Sequence, residues 1–394
     1  MRALIVTSTV PSHLTAMIPL AWALRAGGHQ VRVACQPDQV AAVRSVGLPA
    51  VPLGADTGFA QRHRDSVDGT PGRPYYRERN TLVDQFAAVS EDIVDDLAAL
   101  AEVWQPDLIV QDPLTFAAEI VAAANGIPAL RHLWGPDIFG TIQGKWLAGQ
   151  VRERLLPVAE RLGAGPGPWS EWLIDPTPPR LRPAEPGAGE HLPVRYVPAD
   201  IPGTVPLWAF ETPAKPRVCV TWGTFSEGLP EKNLVPDIVA ELSELDIEQV
   251  VAIKESERHL VGAVPDTVRV VSGLPLHAVL ATCSAVVFHG GGNTMLGSML
   301  EGVPALAISA NFERTFNTGH MVEAGAGLLL NPDTLGPGEV SGAVRALLED
   351  PAYRTAAEAV RDEMLALPTP VELVSTLEDI AAGRRVPEKE GVSR

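Results

Sequence analysis

The feature that most constrains this chain is an alternation that runs, breaks off and starts again. Ala3–Thr7, Gln30–Cys35, Asp107–Val110 and Ile127–His132 are short apolar runs. Between them Ala16–Ala26, Pro37–Val46 and Thr115–Ala124 carry helical spacing and stop at Gly27-Gly28, Gly47 and Asn125-Gly126. Short, non-alternating apolar runs predict parallel strands covered on both faces, and helices supply the crossovers that parallel strands need. From Arg217 the pattern restarts. Arg217–Thr221, Gln249–Ile253, Val268–Val271, Ala285–Phe288 and Ala305–Ser309 read as strands, with Asn233–Glu244 as a helix. A chain of 394 residues is too long for one ordinary core. The expectation is therefore α/β, with two doubly wound domains.

Two stretches interrupt the rhythm. Residues 54–80, GADTGFAQRHRDSVDGTPGRPYYRERN, predict a loop that is either plain surface or a lid over a cleft. Residues 174–216 are dense in proline and predict the interdomain connection. The expected division is a first domain over 1–205, a linker over 206–216, a second domain over 217–375 and a tail over 376–394. The start of that tail is expected to be helical and packed on the first domain.

A net charge of −17 disfavours nucleic acid and anionic membranes as partners, though local amides and helix ends still permit an anionic ligand. Cys35, Cys219 and Cys283 show no metal or redox spacing and read as reduced core thiols. No run of 18 apolar residues and no leader-like segment occur, so a soluble, cytoplasmic protein is expected.

Residues 289–309, HGGGNTMLGSMLEGVPALAIS, follow the buried-strand run Ala285–Phe288 and precede a helix whose apolar face is Met295, Leu296, Met299 and Leu300. Glycines at that junction let backbone approach a ligand, and the first helical N–H groups point at the same place. His289, Asn293 and Thr294 can add side-chain donors. A capped helix after a tight turn is the plain reading. The run is neither GxGxxG nor GxxxxGK[ST], which argues against a nicotinamide site or a P-loop.

Residues 271–308, VSGLPLHAVLATCSAVVFHGGGNTMLGSMLEGVPALAI, resemble the donor-nucleotide signature of GT-B glycosyltransferases, above all the bacterial enzymes that decorate natural products with deoxysugars. TSTVPSHLTAMIPLAWALRAGGHQV, residues 7–31, and the spacing to Glu323–Gly327 agree, and the likeness runs to about residue 380. The resemblance implies a GT-B fold: two Rossmann-like domains facing across a cleft, with Pro370–Ala381 crossing back to the first. It implies that His289, Gly291, Gly292, Asn293 and Thr294 hold a donor diphosphate. Gly223 and Thr224 would assist them, and Leu274, Pro275 and Leu276 would line the base. It implies a metal-independent inverting transferase with no cofactor beyond its nucleotide-sugar co-substrate. UDP-sugar relatives carry a glutamate for the ribose hydroxyls where this chain has Gly297, so a dTDP-deoxysugar is the expected donor.

His13 and Asp112 both fall at strand carboxyl ends, in the expected crevice of the first domain. Each could be a simple helix cap. The resemblance makes His13 the general base, with Asp112 as the carboxylate that orients it. Where relatives carry Asp-Gln for sugar hydroxyls, this chain reads Glu313-Arg314, which implies an unusual donor sugar, a different local geometry or a solvated ion pair. Trp134, Phe139 and Trp146 are candidates for an aromatic wall against a polyketide-type aglycone, as are Tyr75 and Tyr76, although aromatics at such spacing are more often core. A nucleotide-sugar epimerase of the same fold and a catalytically idle partner homologue remain alternatives. A homodimer and an auxiliary activator protein stay open.

Overall fold

The computed structural model describes residues 1–55, 65, 81–167, 170, 172–185, 187–199, 202–223, 234–262 and 264–384. The first half holds a seven-stranded sheet of β1 (Arg2–Val6), β2 (Gln30–Cys35), β3 (Ala50–Pro52), β4 (Leu108–Gln111), β5 (Ala129–His132), β6 (Trp172–Asp175) and β7 (Glu190–Pro193). Across the sheet the order is β3-β2-β1-β4-β5-β6-β7, and every pair is parallel. Its helices are α1 (Pro11–Ala26), α2 (Val40–Ser45), α3 (Thr81–Trp104), α4 (Phe116–Asn125) and α5 (Ile142–Leu162).

The second half repeats the plan. Strands β8 (Arg217–Thr221), β9 (Glu248–Ala252), β10 (Val268–Val271), β11 (Ala285–Phe288), β12 (Ala305–Ile308) and β13 (Gly327–Leu330) lie in the order β10-β9-β8-β11-β12-β13, again all parallel. The helices that follow are α6 (Val235–Leu242), α7 (Leu276–Leu280), α8 (Gly292–Leu300), α9 (Phe312–Glu323), α10 (Glu339–Glu349), α11 (Pro351–Ala366) and α12 (Pro370–Ala381).

In both sheets the strand order reverses beside the first strand, between β1 and β4 and between β8 and β11. Loops leaving two such strands diverge to opposite faces, which opens a crevice at their carboxyl ends. The strands earn no alternation because both faces are covered. Ile5 of β1 packs with Leu14, Met17 and Leu24 of α1, while its neighbours Leu4 and Val6 pack with Ile93 and Leu97 of α3 and Val121 of α4. In the second half Cys219 and Phe288 face Met295 and Met299 of α8, whereas Val218 and Val287 face Ile238 of α6 and Val344 of α10.

The end of the chain returns to the first half. Thr369 and Glu372 form a capping box that starts α12. Leu373, Val374, Leu377 and Ile380 then join the same apolar cluster as α1 and β1. An expected boundary at 375 falls inside this helix.

Two expectations need correction. Residues 174–216 are not all connection, because β6 ends and β7 lies within them as the outer strands of the first sheet. Their brevity and proline content hid them, and an edge strand tolerates Pro193 because one side of it needs no ladder partner. The helix expected over Pro37–Val46 is a 3-10 turn, Pro37–Gln39, leading into the short α2. The loop 54–80 lies almost wholly outside the described residues, and its two readings go untested. The three cysteines are free and buried. Among the described residues no helix is long and apolar enough to cross a membrane.

Candidate active site

His13 is in the first turn of α1, directly after β1, and Asp112 follows β4. The two therefore flank the reversal point of the first sheet. His13 Nδ1 lies 2.6 Å from Asp112 Oδ2, with both side chains buried. Asp112 is itself held, since its Oδ1 accepts from the Leu114 amide at 2.8 Å and its carbonyl accepts from the Thr115 amide at 2.9 Å. The Asp112 carboxylate closes its own turn onto Leu114 and orients the imidazole, while the N-cap of α4, Thr115, supplies no side-chain cap. With Nδ1 donating to the carboxylate, Nε2 carries the lone pair and bonds to no described residue. The imidazole is also stacked face to face on Trp134, with ring centroids 3.8 Å apart and planes 16° apart.

The second reversal point carries the glycine turn. The His289 ring, after β11, is wedged between Gly223, after β8, and Gly291. A Cβ on Gly223 would come within 2.7 Å of the ring, and one on Gly291 within 2.5 Å. Gly223 also has φ +70°, so glycine is required there twice over. His289 is buried and its Nδ1 has no hydrogen-bond partner among the described residues. Burial drives its pKa well below the ordinary histidine value; nearby Arg314 adds to this, and the Thr221 backbone opposes it. The ring is neutral. Gly291 is the N-cap of α8 and supplies no side-chain cap, so the first helical N–H groups have no side-chain acceptor there.

The two sites face each other closely. The Asn293 amide nitrogen, in the first turn of α8, donates to the Ser12 carbonyl at 2.5 Å and to Thr15 Oγ1 at 3.0 Å, both in the first turn of α1. Tyr196 holds the Asn293 carbonyl from its hydroxyl at 3.2 Å. Trp134 Nε1 donates to Glu313 Oε1 at 3.3 Å, and Asn317 Nδ2 donates to the same oxygen. Gly292 and Gly135 meet across the gap. A Cβ on Gly292 would lie 2.8 Å from the Trp134 carbonyl.

These contacts involve several of the expected site residues. Asn293 ties α8 to α1 through its side-chain amide. The Glu313 carboxylate faces the first half, its Oε1 accepting from Trp134 and from Asn317. Trp134 packs on His13 and is partly buried, and Phe139 lies edge-on behind it in the core at 6.4 Å. Trp146 is 40% exposed on α5. Leu274, Pro275 and Leu276 are half-buried at the start of α7. Thr294 is buried in α8. Gly297 has only Leu280 Cδ1 near its would-be Cβ, at 3.6 Å. Thr224, Tyr75 and Tyr76 lie outside the described residues. Among the described residues no cluster of three or more His, Cys, Asp or Glu could hold a metal ion.

Sequence reasoning missed Asn317 and Tyr196. Asn317 was findable, since it lies one helical turn beyond Glu313 on the same face. Tyr196 stands in a proline-rich stretch with no pattern to single it out.

Two Rossmann-like sheets whose reversal points face each other, one bearing a His–Asp pair and the other a glycine turn on a helix N-terminus, define a GT-B glycosyltransferase. Residues 22–223 match the N-terminal domain, and residues 236–380 the C-terminal domain, of the erythromycin biosynthesis protein CIII-like family. The chain belongs to that family. It is 34% identical to the TDP-daunosamine transferase of Streptomyces peucetius, with 100% of both chains covered. It is 35% identical to the tylactone mycaminosyltransferase of Streptomyces fradiae, covering 98% of this chain and 93% of the relative. A spinosyn rhamnosyltransferase solved with thymidine diphosphate superposes with a TM-score of 0.82 at 28% identity, covering 96% of this chain and all of that one.

Proposed function

We propose that the protein is an inverting glycosyltransferase that moves a deoxysugar from a dTDP-sugar to a hydroxyl of a polyketide-type aglycone, with His13 as general base. One observation carries this reading: the hydrogen bond from Asn293 to the Ser12 carbonyl puts the glycine turn one residue away from the oriented imidazole. An acceptor and a diphosphate bound to these two places would have the anomeric carbon between them. The acceptor oxygen attacks that carbon from the face opposite the diphosphate and its proton passes to His13 Nε2. The carbon–oxygen bond to the diphosphate breaks, and that electron pair leaves with the nucleotide. One displacement inverts the anomeric centre. Asp112 orients the imidazole and stabilises it once protonated. The N-terminus of α8 meets the charge growing on the leaving group.

The dTDP assignment is supported by Gly297, which cannot bind a ribose 2′-hydroxyl, and by the sugar-nucleotide and thymidine diphosphate names attached to the relatives. The epimerase alternative is not favoured, since the relatives compared are transferases and a His–Asp pair of this kind serves an external hydroxyl. An idle homologue would have no use for so well oriented an imidazole. The reaction is proposed to need no metal.

The test is to supply a dTDP-deoxysugar and a polyketide aglycone in EDTA and to read the anomeric configuration of the product by NMR. A product of inverted configuration is expected. Retention, or release of free sugar from the donor without acceptor transfer, would overturn the mechanism.

A further inference from the structure

Arg314 breaks three local rules at once. It is in the first turn of α9, three residues after the Asn311 N-cap, where the helix dipole favours an acidic side chain. It is more than nine-tenths buried, and its Nη1 has no hydrogen-bond partner among the described residues. It makes no ion pair with any described carboxylate, even though Glu313 is its neighbour, because Glu313 is held by Trp134 and Asn317. A buried guanidinium without a counter-charge is costly and is tolerated where a binding partner is to supply one.

Its surroundings add to the positive field. The Arg314 Cβ lies 3.0 Å from where a Cβ on Gly290 would be, so the residue backs directly onto the glycine turn. The uncapped N-terminus of α8 opens at the same turn. His289 there is buried and carries a second orphan, its Nδ1. Two buried nitrogens without a partner among the described residues and a helix N-terminus without a side-chain cap thus belong to one turn, and no described carboxylate pairs with Arg314.

We propose that Arg314 is the fixed counter-cation of the anion bound at the glycine turn, a diphosphate, and is not a ligand of the donor sugar. The proposal rests on the donor-site reading above, which it deepens. The depressed basicity of His289, caused by burial first and by Arg314 second, fits the same picture, because an arriving anion would offset the Arg314 contribution. Arg314 would then take up negative charge on the leaving diphosphate, a positioning and electrostatic role independent of His13.

The experiment is calorimetric titration of dTDP, inorganic pyrophosphate and thymidine into the wild-type protein, Arg314→Met and Arg314→Lys, with thermal unfolding of each. Arg314→Met should lose at least tenfold in affinity for dTDP and pyrophosphate and keep thymidine affinity within twofold. Its ligand-free Tm should equal or exceed the wild-type value, since an uncompensated buried charge has gone, while the rise in Tm on adding dTDP should shrink. Arg314→Lys should recover part of the loss. Equal dTDP affinity in wild type and Arg314→Met would overturn the proposal and leave the donor-site reading standing. Pyrophosphate binding that depends on Arg314, without dTDP binding, would support the anion site and overturn the nucleotide-sugar reading. Parallel loss of thymidine and dTDP affinity, or no binding of any ligand by the wild type, would overturn the proposal.

Discussion

The two halves share a strand order and place their functional turns at equivalent reversal points, yet the turns differ in how complete they are. In the first half every polar atom that orients the base has its partner: His13 Nδ1 has Asp112, Asp112 has the Leu114 amide, and the ring has Trp134 beneath it. In the second half the groups are held but unanswered: His289 Nδ1 and Arg314 Nη1 are buried without partners among the described residues, and α8 has no side-chain cap. A general base must be positioned before substrate arrives, because its geometry sets the rate. A cradle for a diphosphate must instead leave its donors open, since an internal partner would compete with the ligand. The contrast between a finished site and a waiting one is what the halves teach.

The largest expected effect tests the finished half. His13→Ala should lower kcat by roughly 10²–10⁴-fold, and Asp112→Asn by about 10²-fold or more through the wrong tautomer. Both should bind dTDP about as wild type does. Measured turnover near the wild-type value in His13→Ala would remove the base from the mechanism.

Next comes the bridge between the halves. Trp134→Phe keeps a ring under His13 but loses the donor to Glu313, and Glu313→Gln weakens the same bond from the other side. Loss of one such bond is worth about 1 kcal/mol, roughly fivefold. Steady-state kinetics should show that drop in kcat for each, with the double variant no worse than the poorer single one. Additive losses would mean that the two residues act separately.

A pH comparison sharpens the contrast further. Burial lowers the His132 pKa from 6.5 to about 4, against smaller opposing effects of the Leu133 carbonyl and Asp112. His289 is lowered well below its ordinary value. A histidine buried neutral takes up its proton on unfolding, so its contribution to stability is complete above pH 6.5. That contribution is lost as pH falls from there toward about 4 for His132, at up to about 1.4 kcal/mol per pH unit. Unfolding titrations of His132→Gln should show a shallower acid slope than wild type. NMR of the two rings should show dTDP raising the His289 pKa and leaving His132 alone. An unchanged His289 would mean that no anion binds beside it.

The smallest effect concerns Gly297. A Cβ there would meet only Leu280 at an ordinary 3.6 Å, so Gly297→Ala should stabilise α8 by about 0.5–1 kcal/mol without altering dTDP affinity. A lowered Tm would show that the open space is required.

Much of this was legible in the sequence because periodicity and punctuation are local. The runs at β8, β10 and β11 and the glycine junction after β11 needed no tertiary information. His13 and Asp112 could be placed at strand ends, but their 2.6 Å approach depends on β1 and β4 being neighbours across a long stretch of chain. The contacts of Trp134, Asn293 and Glu313 were not legible for a related reason. Each runs between the halves, and no local pattern reports which side chain faces across a cleft. The strands β6 and β7 were missed because short, proline-flanked segments carry little signal, and β7 is also an edge.

The contrast between the halves stands or falls most directly on titration of dTDP, in EDTA, into the wild-type protein and His13→Ala. The account predicts metal-independent binding of similar affinity in both, since the waiting cradle does not depend on the finished base. Absence of dTDP binding in the wild type, or its loss in His13→Ala, would contradict it.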